Sequence, residues 1–92
     1  MKALDFIINF ASNLRQHNIN LGPAQIMLVL ASGKTYYRDM VSMTKIHPNA
    51  ITNMIRDLVE QGLVDRNDSH KPHTYFLTPE GERTLKALIP HD

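Results

Sequence analysis

Apolar residues recur at helical spacing through residues 47–64, HPNAITNMIRDLVEQGLV, and the other elements of the chain are arranged around this stretch. Ile51, Ile55, Leu58 and Gly62 follow at intervals of four, three and four, which places them on one stripe of an α-helix ending at Gly62. The opposite face carries Asn49, Thr52, Asn53, Arg56 and Glu60. Asn, Thr and Arg are side chains able to read base edges in a DNA major groove.

The flanking patterns predict a mostly helical chain. Over residues 3–18, Ala3, Leu4, Ile7, Phe10, Ala11 and Leu14 keep helical period, with Phe6 and Ile8 on either side of the stripe. That apolar arc is wider than one packing surface needs, which points to a helix sunk in its own domain or one that shares part of its face with a second subunit. The run PAQIMLVLA (23–31) is apolar almost throughout, a pattern compatible with a buried strand. Pro at its start and Ser32-Gly33 after its end favour a short buried helix. A third helix is expected over Tyr36 to Thr44, capped by Thr35, with Met40, Val41 and Met43 as its apolar residues. Lys45-Ile46 forms the turn and Ile46 points back to the core. Two short helices joined in this way make a helix-turn-helix over 36–61. Residues 63–77 read as a hairpin, with Val64, Tyr75 and Leu77 on one face and a polar turn, NDSHKP, between the strands. Thr78, Pro79 and Glu80 start a last helix, 78–89, with Leu85, Leu88 and Ile89 on its inner face and Pro90 at its end.

Composition narrows the function classes. Ninety-two residues, 42% of them hydrophobic and 21% charged, suit one small α+β domain over 1–92. There is no cysteine, hence no disulfide framework and no thiolate chemistry, and a cytoplasmic location is the expectation. The N-terminal MKALDFIINFASNLR has a faint signal-peptide look, but Asp5 and Asn9 interrupt it, and amphipathic helix explains it better. No apolar run approaches the roughly 20 residues of a membrane span. Net charge is +1, well below the basic excess typical of nucleic-acid binders. Between residues 34 and 71 six basic side chains face five acidic ones. Catalysis finds no support: there is no nucleophile elbow and no phosphate-cradling Gly loop, and Glu80 and Glu82 read as helix-dipole complements. His70-x-x-His73, with Asp68 as the one extra ligand nearby, falls short of a metal site, so neither a metal nor a cofactor is expected.

The order helix, helix, helix-turn-helix, hairpin, helix is the winged-helix arrangement. The segment I-H-P-N-A-I-T-N-M-I-R-D-L-V-E-Q-G-L-V-D-R (46–66) resembles the recognition-helix segment of winged-helix transcription regulators, the MarR family above all, and L-T-P-E-G (77–81) is similar to the step that follows their wing. PadR-like and phage- or plasmid-type winged-helix proteins are near alternatives. The chain departs from the MarR pattern in three places. Thr44 and Lys45 stand where Leu and Gly are frequent, Asp68-Ser69-His70-Lys71 replaces an Asp-x-Arg-Arg wing, and the chain is shorter than typical members. The resemblance implies double-stranded DNA as partner, read in the major groove by helix 47–61 through Asn49, Ala50, Thr52, Asn53 and Arg56. It implies backbone contacts from Tyr37, Arg38, Lys45, Arg66, His70, Lys71 and His73. It also implies a homodimer built by the terminal helices, for which Leu4, Ile7, Ile8, Phe10, Leu85 and Leu88 are the candidates. A sequence-specific, repressor-like transcription regulator is therefore the leading expectation. A winged-helix module that binds another protein is the alternative that the near-neutral charge favours.

Overall fold

The buried helix forms where periodicity alone allowed a strand, and α-helical and hairpin elements on several sides pack on it. In the computed structural model, which describes residues 2–69 and 71–90, the elements are α1 (Ala3–Gln16), α2 (Leu21–Ala31), α3 (Tyr37–Thr44), α4 (Pro48–Glu60), β1 (Val64–Asn67), β2 (Thr74–Leu77) and α5 (Pro79–Leu88). Helix α2 touches α3, α4, α5 and β2. Ala24, Ile26, Met27, Val29 and Leu30 are buried on it, so its near-continuous apolar run is what a central helix requires. It begins at Leu21, two residues before Pro23, because Pro is tolerated anywhere in the first turn and extended Asn20 takes the N-cap place. The fold is the expected one: α+β, mostly helical, with a single two-stranded antiparallel hairpin among the described residues.

The core joins every helix. Ile51, Ile55 and Leu58 of α4 are buried against it, as are Met40 of α3, Leu63 and Val64 at the exit of α4, and Leu85 and Leu88 of α5. In α3 only Met40 is fully inside; Val41 lies at the edge and Met43 points outward. Tyr36, not Thr35, takes the N-cap place of α3 and offers no side-chain cap. The Thr35 carbonyl instead accepts the Tyr75 N–H at 2.9 Å, and a β-bridge joins Tyr36 to Thr74, so the start of α3 is stitched to the hairpin.

Two local devices position α4 and the hairpin. The turn before α4 is closed by Lys45 in the left-handed conformation (φ 61°), and Thr44 Oγ1 donates to the Met40 carbonyl at 2.7 Å and accepts the Ile46 N–H at 3.2 Å. After α4, Gly62 (φ 76°) reverses the chain. Thr78 Oγ1 then donates to the Gly62 carbonyl at 2.5 Å and accepts the Gly81 N–H at 3.0 Å. A Cβ on Gly81 would stand 2.0 Å from the Leu63 carbonyl oxygen, so α5 meets the exit of α4 backbone to backbone. That close approach is the physical content of the L-T-P-E-G run. Helix α1 is tied at its far end, where Asn13 Nδ2 donates to the Leu88 carbonyl at 3.0 Å and Leu14 is buried. Residues 2–9 are exposed. No helix among the described residues is long and apolar enough to cross a membrane.

Candidate nucleic-acid interface

Helix α4 presents two distinct faces because its ends are firmly made. At its start the His47 ring accepts the Asn49 N–H through Nδ1 at 3.1 Å and Pro48 occupies the first helical position. At its end the N–H groups of Gln61, Gly62 and Leu63 return to the carbonyls of Asp57, Val59 and Leu58. Between these points Ile51, Ile55 and Leu58 face the core, while Asn49, Thr52, Asn53, Arg56, Asp57 and Glu60 are exposed and Ala50 is half-buried. The polar set predicted for base contact is thus gathered on one accessible surface. The side chains of Asn53 and Arg56 have no hydrogen-bond or ion-pair partner among the described residues.

Thr52 differs from its neighbours. Its Oγ1 donates to the Pro48 carbonyl at 3.1 Å and lies 3.0 Å from Tyr37 Oη, which donates to the same carbonyl at 2.6 Å. Tyr37 and Thr52 are brought together with each other rather than left to solvent. Beside them Arg38 is exposed, its guanidinium 5.0 Å from the centre of the Tyr36 ring.

The hairpin engages most of its own polar groups. Its register pairs Val64 with Leu77 and Arg66 with Tyr75, so Arg66 shares the inner face with Tyr75 and turns toward α4. Arg66 Nε lies 2.5 Å from Asp68 Oδ1 and a terminal nitrogen donates to Oδ2 at 3.3 Å. The hydrogen bond and charge of Asp68, with Tyr75 behind them, hold the Arg66 guanidinium above its ordinary pKa. His73 Nδ1 stands 3.5 Å from the same carboxylate. Asp65 accepts the Arg66 N–H at 2.7 Å, and Asn67 accepts the Ser69 N–H at 2.9 Å. Lys71 and Lys45 are exposed. His70 lies outside the described residues. A cleft of about 410 Å³ separates α4 from the hairpin, with Thr52, Arg56, Arg66, Asp68 and Tyr75 among its lining.

The residues expected at a subunit contact divide sharply. Leu4, Ile7 and Ile8 are 68%, 62% and 56% exposed on α1, and Phe10 is half-buried with Phe6 stacked on it at 6.0 Å. Leu85 and Leu88 are instead part of the core, 5% and 0% exposed, which leaves them no side-chain area for a second subunit. The inner stripe of α5 is spent on α2 and α1, so the free apolar surface at this end of the molecule belongs to α1. Sequence reasoning also missed the Tyr37–Thr52–Pro48 contact. Its signal is Thr52 four residues after Pro48, the spacing at which a threonine hydroxyl reaches back along a helix.

No protein-family model matches the sequence. An uncharacterised HTH-type transcriptional regulator of Methanocaldococcus jannaschii is 26% identical over 68 residues, covering 68% of this chain and 64% of that protein. Among solved structures, NadR in complex with 4-hydroxyphenylacetate superposes with a TM-score of 0.78 at 26% identity, over 89% of this chain and 61% of NadR. A MepR variant of S. aureus bound to an oligodeoxyribonucleotide gives a TM-score of 0.84 at 15% identity, over 94% of this chain and 67% of MepR. NadR and MepR are MarR-family winged-helix regulators, and this chain has their fold. It spans less than two thirds of the length of the M. jannaschii regulator and of NadR.

Proposed function

We propose that this chain, with its MarR-type winged helix, is a transcription regulator that binds duplex DNA and reads the major groove with α4. The observation that carries the reading is the outer face of α4. Asn49, Asn53 and Arg56 stand exposed together on a helix whose opposite stripe is fixed in the core. Side chains of these types match the donor and acceptor pattern of base edges, Asn toward adenine and Arg toward guanine. Ala50 completes the surface laid against the bases, and Thr52 lies beside it with its hydroxyl turned to Tyr37 and the Pro48 carbonyl. Arg38, Lys45, Lys71, Arg66 and His73 serve the phosphates, which position the protein without reading sequence. The MepR variant carries an oligodeoxyribonucleotide on the same fold, which supports the reading by analogy.

The protein acts as a homodimer through Leu4, Ile7 and Ile8 of α1, a contiguous exposed apolar strip of the kind that marks an interface. Two copies of α4 then meet a pseudo-palindromic site with half-sites about one helical turn apart. Exposed Asp57 and Glu60 beside the reading surface, and a net charge of +1, keep affinity modest and steeply salt-dependent.

In-vitro selection of duplex DNA with the purified protein tests the whole reading. Enrichment of a palindrome, with binding that weakens steeply as salt rises, is the expected result. Absence of binding to any duplex at low salt sinks it and leaves a protein-binding module as the better description of the same fold.

A further inference from the structure

We infer that Tyr37 is a positioning residue that sets the rotation of the reading helix through a hydroxyl clamp with Thr52 and the Pro48 carbonyl; the inference rests on the proposed role of α4. Three oxygens meet here. Tyr37 Oη is 2.6 Å from the Pro48 carbonyl, Thr52 Oγ1 is 3.1 Å from it, and the two hydroxyls are 3.0 Å apart. Each hydroxyl has one proton to donate. Two protons meet three short contacts, so only two of the three are hydrogen bonds at once, and in each such pairing both protons are directed at oxygens of the protein.

This has a direct consequence for DNA contact. Phosphate oxygens only accept hydrogen bonds, as do the N7, O6 and O4 positions of the bases. Neither Tyr37 nor Thr52 can donate to them while the clamp is closed. Tyr37 is thereby removed from the phosphate ligands and Thr52 from the base donors; what they retain is lone pairs.

The clamp also lies where rotation is decided. Tyr37 is the first residue of α3 and Pro48 the first of α4, so the contact spans the helix-turn-helix on its solvent side. Beneath it, Met40 and Ile51 are fully buried. Burial of hydrocarbon is non-directional and sets how deep α4 sits. Hydrogen bonds are directional and resist a roll of the helix about its own axis. Asn49, Asn53 and Arg56 are carried by that roll, and bidentate contacts to base edges tolerate little of it. Opening the clamp should therefore cost base discrimination while leaving phosphate contacts in place.

The experiment compares Tyr37→Phe, Thr52→Val, their combination and Thr52→Ser. Titrations on the selected site and on an unrelated duplex, over a range of salt, accompany thermal melting. Tyr37→Phe and Thr52→Val are each expected to weaken the selected site by about tenfold. Binding to the unrelated duplex and the salt slope should stay at the wild-type level. The double variant should lose no more than either single one, because both open the same clamp. Thr52→Ser, which keeps the hydroxyl, should stay near wild type. Equal weakening on both duplexes makes Tyr37 a phosphate ligand and overturns the inference. Additive losses, or a lowered melting temperature with discrimination intact, overturn it as well. Failure of the underlying reading looks different: the wild-type protein then binds no duplex, or Arg56→Ala leaves the preferred site unchanged.

Discussion

Helix α4 and the hairpin both carry arginine toward the same cleft, yet they hold it in opposite ways. Arg56 projects from α4 with no partner among the described residues. Arg66 projects from β1 into a two-point contact with Asp68, while His73 approaches the Oδ1 atom of the same carboxylate. The backbone of the hairpin is equally engaged, with Asp65 and Asn67 each accepting a nearby N–H. A count of charges along the sequence treats the two arginines as equal. The structure separates them: one is available without any rearrangement, the other must exchange a carboxylate for a phosphate. On the proposed reading, α4 supplies discrimination and the hairpin supplies placement.

The most damaging way to test that placement is at Gly81. Nothing but hydrogen fits between the start of α5 and the Leu63 carbonyl, because a Cβ would sit 2.0 Å from that oxygen. The neighbour is backbone, held by Thr78 on one side and β1 on the other, so it cannot swing away. Gly81→Ala is expected to destabilise the protein by about 3 kcal/mol. Thermal melting should register a drop of more than about 10 °C. A near-normal melting temperature would mean that α5 and the α4 exit can separate cheaply, and that the position of the hairpin is not dictated from below.

The next effect bears on the comparison itself. Arg56→Ala should cost about 1–3 kcal/mol on a selected site and relax preference at one base. Arg66→Ala should weaken binding less, and evenly over all sequences, because the contact proposed for it is to phosphate. Fluorescence titration against the selected and scrambled duplexes distinguishes the two patterns. If the losses are reversed, with Arg66 carrying discrimination, the roles assigned to helix and hairpin are exchanged.

A smaller effect separates stability from binding at Lys45. It holds the left-handed conformation with a side chain that disfavours it. Lys45→Gly should raise stability by about 1 kcal/mol. It also removes an exposed charge beside the start of α4, so DNA affinity should fall while the melting temperature rises. An unchanged affinity beside a raised melting temperature would show that Lys45 has no part in binding.

These cases also mark what was legible from residues alone. The spacing of Ile51, Ile55 and Leu58 and the exit through Gly62-Leu63-Val64 are local patterns with one good structural solution, and they lead directly to α4 and the hairpin. The element order was readable for the same reason. Side-chain partnership was not. Whether Leu85 and Leu88 face a second subunit or the core depends on how α5 lies on α2 and α1, which helical period does not encode. The union of Tyr37 with Thr52 depends on the crossing of α3 and α4, fixed by packing beneath them. Arg66 and Asp68, two apart on a strand and its continuation, share a face, so their pairing could be anticipated.

That pairing gives the mildest and most informative perturbation. Both partners are about half exposed, at 48% and 57%, and ion pairs in water add little to stability. Asp68→Asn should therefore leave the melting temperature unchanged. Its effect on DNA is the sharper quantity. A carboxylate at 2.5 Å occupies one edge of the guanidinium and repels a phosphate approaching the other. Removing the charge should raise affinity for any duplex severalfold at low salt and steepen the salt slope by about one. The gain should vanish when Arg66→Ala is added, since the carboxylate acts through that arginine. A gain that persists without Arg66 would reduce Asp68 to a simple repulsive charge. A loss in place of a gain would show that Asp68 aims Arg66 at its phosphate, and the hairpin would then be as prepared for DNA as α4.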